Sequence, residues 1–551
     1  MKKTFLLGFL LLAALCIKAG TPYCVLSGST LTFYCDDNMP STGTTYDLVY
    51  SNDQPKWVAK ASSVKTVVFH SSFSDARPTD GSCWFYKMKN LTSIQGLSYL
   101  NTSEMTSMAF MFYNCAGLTS LNLSSFDTQN VDDMTCMFYG CSKLGQLTVG
   151  NFKTGNVIRM AGMFYGCSSL ATVDVSQWDV SRVQTMNSMF YNCTNLTTLD
   201  TSNWSTDELI NIGYMFYQCG NLQTVDVGGW DVSGVSNCHY AFYDCHSLSQ
   251  LDVSNWNTPY FEDTSCMFYS CSSLKTLDMG NWDMSHVYSA EKMFCFCSNL
   301  ASVNVSGWRT DFLQDVTEMF NGCAKLAALD VSHFNTSNVT KMNSLFCNCT
   351  SLTNLDVSSW NVSNVEEMRY MFYYCKSLKA IDLTKWNTAK LNYVSSMFCG
   401  CSSLKELDLS KFNVSKPKYA SYMFENCTKL AKLSLSSSME SLNTGACAGV
   451  GTATEPCLLF VPEGFAFAED IDTSAEVFSW CKGYFTLGAS YLLGDVNHDG
   501  IINVTDVTLL VDYILGNRPA VFFEDTADCD QNGSISVADV TQVVDLILSN
   551  H

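Results

Sequence analysis

Two stretches near the end of the chain carry the residues best placed to do chemistry. The first reads Asp495-Val-Asn497-His-Asp499-Gly500-Ile501-Ile-Asn503-Val-Thr-Asp506. The second reads Asp528-Cys-Asp530-Gln-Asn532-Gly533-Ser534-Ile-Ser536-Val-Ala-Asp539. Oxygen-bearing side chains fall at positions 1, 3, 5, 9 and 12 of each stretch, and Gly at position 6 permits a sharp turn. Position 7 (Ile501, Ser534) offers its backbone carbonyl. A ring of hard oxygen donors at that spacing suits Ca²⁺. Each stretch is followed by an apolar helix, Val507–Leu515 and Val540–Leu548.

Elsewhere the reactive residues fall in columns rather than constellations. Asp recurs at one place of a repeat, as Asp174, Asp200, Asp226, Asp252, Asp278, Asp330, Asp356, Asp382 and Asp408, and Asn122 and Asn304 take the same place in two other units. On adjacent strands these carboxylates would stand about 4.8 Å apart and repel by about 0.9 kcal/mol per pair in water. Two readings follow. Flanking Ser and Thr (Ser176, Ser202, Ser254) hydrogen-bond them and their pKa values rise, or the column is an acidic strip for cations or a basic partner. Thirteen of the 27 Cys form a second column. They read as small apolar fillers or as a redox or metal series; no His cluster accompanies them, which argues against zinc. Cys24 with Cys35 and Cys447 with Cys457 are the disulfide candidates. The seven His form no triad or metal spacing, and the Asp column is too regular for an acid/base pair. No enzyme is read from this sequence.

The columns follow from a repeat. The motif Met-Phe-x-x-Cys-x-x-Leu places Cys at 115, 141, 167, 193, 219, 245, 271, 297, 323, 349, 375, 401 and 427, every step 26 residues. Phe stands three before each Cys and Leu three after. An imperfect earlier copy, Trp84 to Leu91, has Met88 in the Cys place. A fixed period with invariant apolar positions builds a solenoid in which like residues stack. In the unit Leu118-Thr-Ser-Leu121-Asn-Leu123-Ser-Ser-Phe126, Leu121 and Leu123 point inward from a strand. Val131, Met134, Phe138 and Cys141, spaced 3, 4, 3, read as the inner face of a short helix. Tyr follows the motif Phe in eight coils and reads as semi-buried packing or an exposed convex stripe.

Solenoid ends expose core and need caps. The expected organisation is an export leader over 1–19, a β-rich N-terminal cap over 20–83, repeats over 84–436, a C-terminal cap and linker over 437–490, and an all-α module over 491–551. The leader is read from Lys2, Lys3 and the apolar run Phe5–Ala14; anchorage through Cys16 is the alternative. No stretch is long and apolar enough for a membrane span. A net charge of −21 argues against a nucleic-acid partner.

Units such as Met371-Phe372-Tyr-Tyr-Cys375-Lys-Ser-Leu378-Lys-Ala-Ile381-Asp382-Leu383-Thr-Lys-Trp386 resemble the BspA-like leucine-rich repeat surface proteins of bacteria. The resemblance covers about residues 60–436. It implies an α/β leucine-rich-repeat solenoid, with a parallel β-sheet and short helices, on a secreted or cell-surface protein used for adhesion or recognition. The C-terminal module resembles a type I dockerin. That resemblance implies two Ca²⁺ ions held by Asp495, Asn497, Asp499, Ile501, Asn503 and Asp506, and by Asp528, Asp530, Asn532, Ser534, Ser536 and Asp539. It also implies a cohesin partner met through Val504, Thr505, Val511 and Asp512 and through Val537, Ala538, Val544 and Asp545. Common cohesin-contacting types, Ser-Thr followed by Lys or Arg, are replaced here by Val-Thr and Val-Ala followed by Val-Asp. A Ca²⁺-stabilised terminal domain without a cohesin is the other reading.

The function expected is an exported, non-catalytic protein. Its solenoid binds a protein ligand on a host or neighbouring bacterial surface, and its Ca²⁺-dependent module attaches or assembles it. The alternative is a structural spacer or subunit of a cohesin–dockerin complex.

Overall fold

The computed structural model describes residues 20–48, 54–414, 420–439, 442, 445–462, 464–465, 467, 471–488, 493–497, 501–519, 521–530 and 532–549. The expected leader over 1–19, with Cys16, and the loop residue Asp499 lie outside the described residues. The chain divides into two compact units, Met1–Leu352 and Thr353–His551, and the boundary falls within the repeats.

The first unit opens with five strands: β1 (Pro22–Ser27), β2 (Thr30–Cys35), β3 (Thr44–Asp47), β4 (Thr66–Phe69) and β5 (Ser93–Gln95), ordered β3-β1-β2-β4-β5. β1 and β2 form a hairpin turning at Gly28, whose φ is +58°. β2, β4 and β5 run parallel, so this sheet converts a hairpin into the parallel stacking of the repeats. Its inner face carries Phe33, Phe69, Phe73, Trp57 and Trp84, all buried. Phe33 stacks on Trp84 at 5.3 Å, and Trp57 Nε1 donates to the Trp84 carbonyl at 2.8 Å. This aromatic cluster covers the start of the core.

The repeats then stack in register at 26 residues. Paired strands are β6 (Ser120–Asn122) with β7 (Gln146–Thr148), β8 (Thr198–Leu199) with β9 (Thr224–Val225), and β10 (Thr276–Asp278) with β11 (Ser302–Asn304). A second parallel ladder of single bridges runs from Asp80 through Ser107, Asp133 and Arg159 to Lys341. The motif Phe residues form an unbroken interior stack from Phe85 to Phe346, with centroids 4.9 to 5.7 Å apart. In the second unit Phe372, Phe398 and Phe424 stack likewise, at 5.4 and 6.1 Å.

The return half of each coil departs from expectation. Among the described residues the repeats contain no α-helix; the stretch spaced 3, 4, 3 is a run of tight turns. The amides of Phe110 and Phe112 donate to the carbonyls of Thr135 and Met137 one coil on, each at 2.8 Å, while those of Met111, Tyr113 and Cys115 close turns onto Met108, Phe110 and Phe112. Two residues per coil adopt left-handed backbone, as in Phe110 and Asn114 (φ 58° and 57°), Cys136 and Gly140 (53° and 71°), and Ser188 and Asn192 (57° and 56°). The physical reason is spacing. A helix is about 10 Å across and would fan the returns apart from strands spaced at about 4.8 Å, whereas a hydrogen-bonded chain of turns matches the strand spacing. The tyrosines beside the Phe column show the same spacing, stacking from Tyr86 to Tyr269 at 4.2 to 4.8 Å.

The second unit ends its repeats on β12 (Glu406–Leu409), β13 (Lys432–Leu435), β14 (Cys457–Phe460), β15 (Phe478–Trp480) and β16 (Gly483–Leu487), ordered β12-β13-β14-β16-β15. Trp480, Phe465, Phe467, Phe478 and Phe485 form an aromatic cluster there. The C-terminal module has α1 (Val504–Ile514), a single turn α2 (Glu524–Ala527) and α3 (Val537–Ser549). Val496, Leu510, Ala527, Cys529 and Val543 form its core, with Ile502, Val507, Ile514, Phe522 and Val540 packed around them.

Candidate functional site

Both loops of the module are organised around their last carboxylate. Asp506 is fully buried; its Oδ1 accepts from the Val496 amide at 2.8 Å and the Asn497 amide at 3.3 Å, and its Oδ2 from the Asn503 amide at 2.9 Å. Asn503 Oδ1 in turn accepts from the Thr505 amide at 2.7 Å, so the pair forms a reciprocal cap that starts α1. Asp495 is buried, and its carbonyl accepts from Thr526 Oγ1 at 2.8 Å. Ile501 leaves its side chain 63 % exposed, as suits a residue that offers only a carbonyl.

In the second loop Asp539, also buried, accepts from the Asp530 amide at 3.2 Å and the Ser536 amide at 2.8 Å. Burial pushes its carboxyl up, but the amide donors of Ser536, Asp530 and Cys529 outweigh that and hold it below the usual range. Asp528 accepts from the Asn532 and Gly533 amides at 3.1 and 2.9 Å, and Asn532 Oδ1 from Ser534 Oγ at 2.6 Å. Carboxylate oxygens of Asp528, Asp530 and Asp539 lie within 4.8 Å of one another. Three carboxylates held that close, with hydroxyl and amide oxygens beside them, fit a hard dication. Asp528, Asp530, Asn532, Ser534, Ser536 and Asp539 would hold it, and the ion would supply the charge that offsets their repulsion.

The eight residues read as a partner face lie on the two main helices. Val504, Thr505, Val511, Val537, Ala538 and Asp545 are exposed, and Asp512 and Val544 half-buried. The sequence reading missed Leu515 and Leu548, exposed at 72 % and 68 %. Their signal was the 33-residue offset between the loops, which maps Val504, Val511 and Leu515 onto Val537, Val544 and Leu548. Each set follows the spacing of one helical face.

All nine column Asp residues are exposed on the strand face. Each uses one oxygen to close a turn on the residue two ahead: Ser176 donates to Asp174 Oδ1 through amide and hydroxyl at 3.2 and 2.8 Å, and Ser202, Ser254, Ser332, Ser358 and Thr384 repeat this. Gly228, Gly280 and Ser410 donate their amides to Asp226, Asp278 and Asp408. At four of the nine the expected rise in pKa is reversed. Side-chain and backbone donors from Ser202, Ser254, Ser332 and Thr384 lower the carboxyls of Asp200, Asp252, Asp330 and Asp382, because they favour the charged form. Shallow grooves run along this face. One of about 430 Å³ is lined by Asp200, Asp226 and Asp252; another, of about 690 Å³ in the second unit, by Asp356, Asp382, Asp408 and Lys432.

The Cys column is structural, with more than filling behind it. Column thiols donate to the carbonyl of the motif Phe one coil back, as in Cys115 to Phe85, Cys193 to Phe164 and Cys401 to Phe372, all at 3.1 Å. Burial pushes the thiols of Cys141 and Cys219 up to about 12, so they stay protonated. Cys24, Cys35, Cys447 and Cys457 are thiols rather than half-cystines. The hairpin register sets Cys24 opposite Phe33 and Cys35 opposite Pro22, and Cys447 meets Cys481 instead of Cys457, its amide donating to the Cys481 carbonyl at 3.1 Å. Among the described residues no helix is long and apolar enough to cross a membrane.

The family described as "Mycoplasma protein of unknown function, DUF285" matches residues 79–199, 106–224, 196–308, 291–381 and 352–444, about two thirds of the chain together. The type I dockerin domain matches residues 493–548. No curated protein matches the chain. Among solved structures, a leucine-rich repeat protein from Bacteroides ovatus is 13 % identical with a TM-score of 0.31, covering 72 % of this chain and 94 % of its own. The Toll–Spätzle complex of Drosophila matches at 14 % identity and TM-score 0.22, over 80 % of this chain and 64 % of its own. A TLR13–ssRNA13 complex matches at 17 % identity and TM-score 0.21, over 73 % and 71 %.

Proposed function

The chain belongs to the DUF285 repeat family, of the BspA-like kind, and ends in a type I dockerin domain; from that premise we propose that it is an exported, non-catalytic adhesion or recognition protein. The solenoid presents its strand face to a protein ligand on a host or neighbouring bacterial surface. The C-terminal module, carrying two Ca²⁺ ions, one per loop, attaches the solenoid to a cohesin. The observation that carries this reading is the duplicated apolar stripe Val504, Val511, Leu515 and Val537, Val544, Leu548. With Val544 half-buried and the other five exposed, it leaves on two helices the kind of surface that a folded partner covers. The Asp column supports the other contact, since each carboxylate commits one oxygen to its own turn, and the donors at Asp200 and Asp252 favour their charged form.

The two contacts have different physics, which makes them separable. The acidic face binds through charge, so its ligand is released by salt. The helical face binds through apolar area on a Ca²⁺-dependent scaffold, so its partner is released by chelator and tolerates salt. The test is capture of secreted and surface proteins by the full chain, by an Asp200→Asn/Asp226→Asn/Asp252→Asn variant and by a Val504→Asp/Val537→Asp variant. The expected outcome is loss of a salt-sensitive ligand in the first variant and of a chelator-sensitive partner in the second. Capture that survives in both variants contradicts the reading. If only the chelator-sensitive partner is ever captured, the solenoid is a spacer.

A further inference from the structure

Thirteen copies of one coil act as internal controls for one another, so a surface position that breaks its own column stands out. Such a break occurs in the two-residue turn eleven residues before each motif Cys. Asn is the commonest residue there, in four of the thirteen coils, and its side chain ties the turn to the preceding coil: Asn130 donates to the Ser103 carbonyl, Asn156 to Gln129 and Asn338 to Asp311, each at 2.7 Å. Elsewhere the place holds Gly234 or a charged residue, such as Arg182, which donates to Asn156 Oδ1 at 3.1 Å, and Lys390, which donates to Asn364 Oδ1 at 2.6 Å. In three consecutive coils the place holds Tyr260, His286 and Phe312.

These three replacements put aromatic area on the surface. Phe312 has no side-chain donor, so it gives up the inter-coil bond that Asn makes. The rings are not buried in exchange: Tyr260 is 61 % and Phe312 57 % exposed. His286 lies parallel to Phe312 with centroids 6.1 Å apart, and Tyr288, 46 % exposed, stands beside them in the same stretch of coils. Aromatic rings set in water at one place of three consecutive coils are what a contact surface requires and what a scaffold avoids.

The surroundings select the occupant. Glu262 and Asp263 lie beside Tyr288, Asp283 beside His286, and Asp311 next to Phe312 in the chain. Arg309 stands among these four carboxylates, 3.5 Å from Asp311, and Lys341 is held by a further one, Asp315, at 3.2 Å. Aromatic faces ringed by excess negative charge recognise cations: a guanidinium or ammonium can rest on a ring while its charge is met by a carboxylate. An acidic polymer or a nucleic acid would be repelled.

We propose that the turn ridge Tyr260, His286 and Phe312, with Tyr288 beside it, is a docking surface for an Arg- or Lys-bearing protein segment. The proposal deepens the protein-binding reading and rests on it, but places the specific contact on the edge of the coils rather than on the uniform Asp column. The column repeats from coil to coil and so recognises charge; the ridge occurs once in the first unit and can recognise an address.

The test restores the repeat's own residue. The full chain, with Ca²⁺ present, is compared with a Tyr260→Asn/His286→Asn/Phe312→Asn variant and with Asp200→Asn/Asp226→Asn/Asp252→Asn. The probe is a labelled twelve-residue peptide alternating Arg and Ser, read by fluorescence anisotropy in 0.15 M NaCl. The ridge variant keeps the acidic charge of the chain, and the melting temperature reports whether its coils remain folded. The expected result is at least a tenfold weaker affinity in the ridge variant with an unchanged or higher melting temperature, and a far smaller loss in the column variant. Equal affinity in the wild type and the ridge variant overturns the proposal while leaving the column reading intact. It is also overturned if the ridge binds a neutral cello-oligosaccharide in preference to the peptide, or if the wild type binds no peptide at all.

Discussion

Replacing Asp530 with Asn should move stability and calcium affinity in opposite directions. Asp528, Asp530 and Asp539 hold carboxylate oxygens within 4.8 Å of one another, which makes three repelling pairs. At that distance each pair costs about 0.9 kcal/mol in water, and about half that after screening at physiological salt. Asp530→Asn removes two of the three pairs. The metal-free module should therefore gain about 1 to 2 kcal/mol. The turn itself survives, because the Asn532 amide, now 3.1 Å from Asp530 Oδ1, finds the same acceptor in an Asn side chain. A gain of that size raises the melting temperature of a module this small by roughly 5 to 10 °C. With Ca²⁺ present the sign reverses, because the ion loses a charged ligand; we expect at least a tenfold weaker affinity at the second loop, about 1.4 kcal/mol. Ellipticity at 222 nm reads the module in the full chain, since among the described residues the α-helices are α1, α2 and α3. Melts in EDTA and in Ca²⁺, with calorimetric Ca²⁺ titration, give both quantities. A variant less stable in EDTA than the wild type would refute the reasoning, and so would unchanged Ca²⁺ uptake.

Three further outcomes follow from the coil. At Cys193, whose Sγ donates to the Phe164 carbonyl at 3.1 Å, Ser should be tolerated at least as well as Ala, because a hydroxyl finds the acceptor waiting; denaturation midpoints showing Ser more than about 1 kcal/mol below Ala would mean that the slot only wants volume. Phe216→Ala removes a ring stacked at 5.6 Å on Phe190 and 5.3 Å on Phe242, and should cost about 3 to 5 kcal/mol, confined by nearest-neighbour coupling to coils 190–242. Amide exchange should show that loss there, with the coils of Phe112 and Phe138 still protected. On acidification, Asp200, Asp252, Asp330 and Asp382 have folded pKa values below their unfolded value of about 3.9, so their contribution is complete above that pH and is lost as pH falls through the lowered values. Urea midpoints between pH 5 and 2.5 should fall accordingly, and less steeply in Asp252→Asn; an unchanged slope counts against the turn-capping role.

The period and the columns were legible because each is a statement about one residue type at one offset. Phe, Leu, Cys and Asp recur with no insertion, and stacking is then the only packing that gives every copy the same neighbours. The helix was misread because 3, 4, 3 spacing also describes inward residues in a run of turns. The discriminating signal was at the residue before each motif Cys, which is Gly or Asn in eight of thirteen coils. Those types favour left-handed backbone and disfavour helix. Leu515 and Leu548 were overlooked because the positions taken from the dockerin resemblance end at Asp512 and Asp545, and the mates of the thiols because hydrogen bonds from Cys to a carbonyl 29 or 30 residues back leave no mark in sequence. The carboxylate pKa values went the wrong way because Coulomb repulsion along the column was weighed without the amide and hydroxyl that each turn aims at its own Asp.

The solenoid is built on return segments that stack as closely as the strands do. The direct measurement is a pulsed electron–electron distance between spin labels, introduced as non-natural residues at Thr194 and Ser298, equivalent return-side positions four coils apart in the first unit. Turns stacked at strand spacing predict a distance of about 20 Å. Helical returns, at 8 to 10 Å per coil, would give roughly 32 to 40 Å and would contradict it.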